Sequence, residues 1–273
     1  MAVFQPLRQT EKLIATKPNG PVVQLDRTLV YETRGQRFES SRVRQLENVL
    51  MFECKFCGKS FQREKTLSAH MCEQKRRWVN KDSKYVRLGF LAYNRFYELT
   101  TQGSKKKTYE QFAKSKYYTG FTKFGKYMLD VNAIDPEKFI DFVITTSVKL
   151  DKWTSDAVYE TYIRELNKKE TAERAVERGI LLMQQWSREN DRPYNVFFRE
   201  ISKPRAIHWI KSGRISPWVI FNSVSGVELI NSFNDHELNL VNEYLEPTFW
   251  TRKFEVRKDD VIFVKEILEK AGI

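Results

Sequence analysis

Three cysteines fall within nineteen residues of a 273-residue chain, as Cys54, Cys57 and Cys72, with His70 just before the last. That clustering constrains the fold more than any other feature. Two residues between Cys54 and Cys57 allow a tight turn that aims both thiolates at one tetrahedral ion. Beyond the twelve residues that follow Cys57, a helix can carry an imidazole, that of His70, to the third corner. The expected cofactor is one structural Zn2+, held by Cys54, Cys57, His70 and Cys72, with Phe61 and Leu67 as a miniature core between turn and helix. At neutral pH such a site supplies on the order of 10 kcal/mol of folding free energy. Three cysteines cannot build a disulfide framework, so a reducing compartment, the cytoplasm, is expected.

The fourth ligand departs from a simple helical arrangement. Only one residue separates His70 from Cys72, and on a continuous helix the two would point about 200° apart. The helix must therefore end or unwind at about Ala69 to Met71 to close a Cys3His site; otherwise three ligands leave a position open, as catalysis would require. The closed site is the preferred reading, because no second His or carboxylate nearby is placed to act as a base.

The stretch resembles the Cys2His2 zinc finger at Phe52, Cys54, Cys57, Phe61, Leu67 and His70, together with the Cys57-Gly58-Lys59 turn. The resemblance implies a ββα unit with a helix opening near Arg63. It covers residues 52 to 72 only, and it fails where the family has its second His, since positions 74 to 76 are Gln74, Lys75 and Arg76. By the same resemblance Arg63, Thr66 and Ala69 occupy base-facing positions. Ala69 offers only a methyl contact, and one finger spans about three base pairs, so backbone contact or docking is expected rather than sequence reading. The run His70-Met71-Cys72-Glu73-Gln74-Lys75-Arg76-Arg77-Trp78 also resembles uncharacterised proteins of large tailed bacteriophages, which implies action in the host cytoplasm during infection but carries no functional residues over; an accessory factor in DNA or RNA metabolism is the expected role.

Charge is concentrated around this unit. Residues 41 to 130 hold 20 Lys and Arg against 8 Asp and Glu, an excess equal to the whole chain's +12. A basic excess confined to a third of the chain reads as a surface for a polyanion, nucleic acid, with DNA favoured over RNA. The candidate contacts are Arg63, Lys65, Lys75, Arg76, Arg77, Trp78, Lys81, Lys84, Lys105, Lys106, Lys107, Lys116 and Tyr117, with Arg87 beside them. Lys and Arg would neutralise phosphates, while Trp78 and Tyr117 would stack on bases. Trp78 has a second reading, as a plug seating the finger on the rest of the chain. Residues 81 to 130 carry 12 of the 37 aromatic residues, and Phe90, Phe96, Phe112 and Phe121 sit at spacings that a helical core would use.

The expected fold is mainly α, with one small ββα zinc-finger module and an α-rich C-terminal body. It divides into an arm or hairpin at 1–48 with a candidate strand from Val22 to Tyr31, the finger with its basic extension at 49–80, and a helical domain at 81–273. Helical spacing marks 84–99, then 108–129 with breaks at Gly120 and Gly125, across a polar loop at 101–107. Further helices begin at Asp135-Pro136, Thr154-Ser155, Thr171 and Asp259-Asp260, and Pro193, Pro204, Pro217 and Pro247 cut the stretch between into short pieces. No stretch has the roughly 18 apolar residues of a membrane span. A protein partner is expected through the C-terminal half, rich in Trp and Phe. The runner-up functions are a docking module on a polymerase or nuclease complex, and a metal-dependent nuclease using Asp130, Asp135, Glu137 and Asp141. His208 and His236 stand alone, and no phosphate loop, dinucleotide fingerprint or nucleophile elbow occurs.

Overall fold

The computed structural model describes residues 51–103 and 105–273; the predicted arm, with its candidate strand, lies outside them. The chain begins with β1 (Phe52–Glu53) and β2 (Ser60–Phe61), which pair antiparallel with Phe52 opposite Phe61. Two short helices follow, α1 (Glu64–Ala69) and α2 (Glu73–Val79), and then the long α3 (Lys84–Thr100). The mainly-α expectation holds: among the described residues the only sheet is this two-stranded one.

The predicted helix at 108–129 is two helices, α4 (Tyr109–Lys114) and α5 (Tyr118–Asp130), and the break falls at 115–117 rather than at a glycine. Ser115 ends α4 with extended backbone, and its hydroxyl accepts the Tyr117 amide at 3.1 Å, a side-chain turn that competes with helix. Gly120 and Gly125 both lie inside α5. Gly125 is needed for closeness, because a Cβ there would collide with the Tyr85 carbonyl oxygen of α3. The reciprocal Cβ on Gly89 would lie 2.7 Å from the Phe121 carbonyl oxygen. The two glycines let α3 and α5 cross almost backbone to backbone.

Aromatic side chains fill the space around that crossing. Phe112, Phe121, Phe124, Phe139 and Trp153 are fully buried, whereas Phe90 and Phe96 are half-buried and pack against them. Burying a Phe side chain is worth about 1.5–3 kcal/mol each. The cluster continues through α6 (Pro136–Thr145), α7 (Asp156–Lys169) and α8 (Ala172–Asn190), which start where Asp135, Ser155 and Thr171 precede them. Asp135 and Thr171 each accept a first-turn amide, from Lys138 and Arg174.

In the proline-rich stretch the prolines open helices as well as interrupt them. Pro204, Pro217 and Pro247 lie in the first turns of α10 (Lys203–Lys211), α11 (Pro217–Ile220) and α14 (Pro247–Val256), where a missing amide costs nothing. α9 (Phe197–Glu200) precedes these, α12 (Val224–Asn231) and α13 (Asp235–Leu245) lie between α11 and α14, and α15 (Lys258–Lys270) follows α14. Trp186, Trp209, Trp218 and Trp250 are buried among them. None of the described helices is long and apolar enough to cross a membrane.

Candidate metal centre and basic surface

The turn after β1 is organised by one carbonyl. Cys54 O accepts the amides of Cys57 (3.2 Å) and Gly58 (2.7 Å), and Gly58 takes the left-handed conformation, φ +71°, that ends such a turn. Beyond β2, α1 stops at Ala69. His70 is already extended (φ −68°, ψ 121°), with its amide tied to Leu67 O at 3.1 Å. Cys72 is extended as well (φ −73°, ψ 164°), and it is also the N-cap of α2, its Sγ accepting the Lys75 amide at 3.4 Å. The unwinding that the His70–Cys72 spacing demanded therefore occurs, and it turns both side chains to one point.

Cys54 Sγ lies 4.0 Å from Cys72 Sγ, and Cys57 Sγ lies 3.3 Å from His70 Nε2. All four ligand atoms fall within 4.8 Å of one another. A tetrahedral ion with bonds of about 2.0–2.3 Å sets its ligand atoms roughly 3.3–3.8 Å apart, so the cluster fits one ion after small side-chain adjustments. The Phe61 ring packs 4.8 Å from the imidazole and holds its orientation. Electrostatics point the same way. The Phe56 amide draws the Cys54 thiol below its ordinary range. The Lys59 amide favours a Cys57 thiolate, but desolvation and the neighbouring Cys54 and Cys72 sulfurs outweigh it and push that thiol up. Three thiolates this close repel one another until a cation sits between them. The set offers three sulfur donors and one nitrogen donor that could hold one metal ion.

The predicted phosphate contacts divide by what they touch. Arg63, the N-cap of α1, and Lys65 are exposed, as are Lys81 and Lys84, and none of them has a carboxylate within ion-pair distance among the described residues. Lys81 Nζ sits 5.5 Å from the Trp78 ring centroid, and Lys116 Nζ 5.0 Å from that of the exposed Tyr117. Arg76 is exposed and 3.8 Å from Glu73. Lys105 and Lys106 are exposed on the loop, while Lys107 is half-buried with its Nζ 5.1 Å from the Tyr97 ring centroid.

Two cations have structural work that the sequence reading did not assign them. Lys75 Nζ donates to Ser68 O (3.3 Å) and His70 O (3.0 Å), satisfying carbonyls at the end of α1. Arg77 pairs with Glu73 at 3.0 Å, donates to Ala113 O (2.8 Å) and Ser115 O (3.3 Å), and lies over the Tyr118 ring. Its guanidinium thereby clamps α2 to the end of α4. Trp78 joins this seam, 5.6 Å from Tyr109 and 6.3 Å from Phe56 by ring centroids, and still keeps 39% of its surface open. Both readings of Trp78, plug and exposed face, meet in one side chain. A groove of about 320 Å³ beside it is lined by Lys55, Phe56, Gln74, Glu110, Ala113 and Lys114.

The acidic residues do not converge. Asp141 receives Arg95 through two hydrogen bonds (2.6 and 3.0 Å), and Asp135 pairs with Lys138 and Arg174. Asp130 and Glu137 are exposed; Asp130 lines a groove with the exposed His208, and His236 is exposed in the first turn of α13. Among the described residues the only His, Cys, Asp and Glu side chains close enough to share an ion are Cys54, Cys57, His70 and Cys72. Comparison of the chain with known protein families, curated proteins and solved structures finds no match.

Proposed function

We propose that this is a zinc protein that binds nucleic acid, DNA in preference to RNA, mainly through its phosphates. In this reading the zinc ion is structural: three sulfurs and one imidazole nitrogen suit zinc, and a closed tetrahedral set leaves no position for substrate. The observation that carries the reading is the placement of the metal cluster at the joint between α1 and α2. His70 follows the last residue of α1 and Cys72 caps the first turn of α2, so closing the site fixes Arg63 and Lys65 at the start of α1 relative to the basic helix α2. Charge supports it: residues 51 to 130 carry 18 Lys and Arg against 7 Asp and Glu, while 131 to 273 carry 21 against 23.

The test is a salt titration of binding to fluorescent 20-mers of single-stranded DNA, duplex DNA and RNA. Each neutralised phosphate contributes a log–log slope of about −0.9 on duplex and −0.7 on single strands. The triple variant Arg63→Ala, Lys65→Ala, Lys81→Ala should bind more weakly and flatten the duplex slope by about 2–3. Lys75 and Arg77 are unsuitable targets, because changing them loosens the finger itself. An unchanged slope in the triple variant would exclude this face, and no salt-dependent binding to any of the three probes would exclude the reading.

A further inference from the structure

A second surface, along the long helix α3, has the chemistry of a protein-docking groove. It measures about 610 Å³ and runs along α3, bounded by the 105–107 loop, the end of α5 and the start of α6. Its floor is aliphatic and aromatic: Leu88, Phe90, Leu91, Leu129 and Pro136. Leu91 and Leu129 are 39% and 40% exposed, which is unusual for leucines lying side by side on two packed helices. Its rim is cationic. Lys84, Arg87 and Lys106 line it, no carboxylate does, and none of the three pairs with an acid among the described residues.

The remaining polar group, Asn94, is already used. Its Oδ1 accepts the Lys107 amide at 2.7 Å and its Nδ2 donates to Phe90 O at 3.2 Å. Asn94 therefore pins the loop that carries Lys106 beside the groove and offers the groove itself nothing. A nucleic acid could use these cations for its phosphates, but it would leave the mostly aliphatic floor uncovered, since bases gain their contacts from aromatic faces and hydrogen-bonding edges. A purely apolar segment would ignore three unneutralised cations. The chemistry that satisfies both is a helix with an apolar stripe flanked by Asp and Glu. Lys84 and Asn94 are ten residues apart on α3, about 15 Å, which matches two to three turns of such a helix.

We propose that this groove docks an acidic amphipathic helix of a partner protein, independently of nucleic-acid binding at the finger. The probe is a fluorescein-labelled 16-residue peptide with Leu at helical i, i+3, i+4 and i+7 spacing and Glu elsewhere, titrated into the full zinc-loaded chain. Controls are the same peptide with Lys for Glu, a shuffled acidic peptide and a 16-mer of thymidine. The expected result is binding of the patterned acidic peptide alone among the peptides. Leu91→Asp, at an exposed position and with unchanged circular dichroism, should weaken it at least about tenfold, the mark of a central anchor. The charge-swapped variant Lys84→Glu, Arg87→Glu, Lys106→Glu should reverse preference toward the Lys peptide. Equal binding of the shuffled peptide, insensitivity to Leu91→Asp, or failure of the swap to reverse preference would overturn the proposal. So would loss of thymidine 16-mer binding in Leu91→Asp, which would make this a nucleic-acid surface. Loss of oligonucleotide binding in the finger variant with peptide binding intact would leave it standing.

Discussion

Replacing Cys72 with Ser separates two roles that the wild-type residue combines. Cys72 contributes a sulfur to the metal cluster, 4.0 Å from Cys54 Sγ, and caps α2 by accepting the Lys75 amide. Serine is among the best N-caps, so Cys72→Ser keeps the cap and loses the thiolate, whereas Cys72→Ala loses both. A structural zinc site of this kind contributes about 10–16 kcal/mol in all, so an even share among four ligands is on the order of 3 kcal/mol. That corresponds to about a hundredfold in metal affinity for Cys72→Ser. Cys72→Ala should cost about 1 kcal/mol more in the stability of the module. Competition with a chromophoric chelator measures the affinity. Cobalt substitution counts the sulfurs, because the thiolate-to-metal absorption should fall from that of three thiolates to that of two. If Cys72→Ser binds cobalt with wild-type affinity and an unaltered spectrum, the closed Cys3His assignment is wrong and the fourth position belongs to another group.

Two further outcomes follow from packing. Gly125→Ala should destabilise the protein by about 1–3 kcal/mol in urea unfolding, because the added methyl meets the Tyr85 backbone, which cannot step aside. Gly120→Ala, whose methyl would meet only the flexible Leu150 side chain at 3.0 Å, should be neutral or mildly stabilising, and equal costs at the two sites would refute the close-crossing argument. Asn167 is 1% exposed, and neither its amide nitrogen nor its oxygen has a partner among the described residues. Asn167→Leu should therefore raise stability by about 1–3 kcal/mol, and a loss in the same urea measurement would show that the amide is satisfied in solution.

What the sequence made legible was local. The Cys54–Cys57–His70 spacing specified a turn and a helix, and the single residue between His70 and Cys72 specified where that helix had to stop. Asp135-Pro136 and Thr171 announced helix starts because capping is decided by neighbours a few residues away. The break between α4 and α5 was misplaced at the glycines, since a glycine inside a helix looks the same whether it ends the helix or admits another backbone. Gly125 does the second only because Tyr85, forty residues earlier, lies across it. Arg77 belonged to a run of cations and read as one of them. That Ala113 O, Ser115 O and the Tyr118 ring would converge on it depended on how α2 docks against α4. Lys84 and Arg87 share a helix face that spacing reveals, but the meeting of Lys106, Leu129 and Pro136 with them is a property of the tertiary fold.

Chelation tests whether an ion bound at the cluster builds the whole protein or only sets the angle between α1 and α2. Apart from Cys54, the buried apolar residues begin at Val86, so the core of the helical body contains no part of the finger. Chelation should therefore erase order in β1, β2 and α1 while α3 to α15 keep their helices, leaving far-ultraviolet circular dichroism largely intact. Trp78 reports the difference, because it is 39% exposed while the other five tryptophans are 8% or less. Its packing against Phe56 is a finger contact and its packing against Tyr109 is a body contact. Loss of the metal should remove the first, making emission from Trp78 redder and more open to acrylamide, with both changes absent in Trp78→Phe. Oligonucleotide affinity should fall at the same chelator concentration, since Arg63 and Lys65 are then no longer held in place relative to Lys81. A global collapse of helicity on chelation would mean that the finger and body fold as one cooperative unit. Retained affinity in a metal-free chain would mean that the cations act without the geometry the metal imposes.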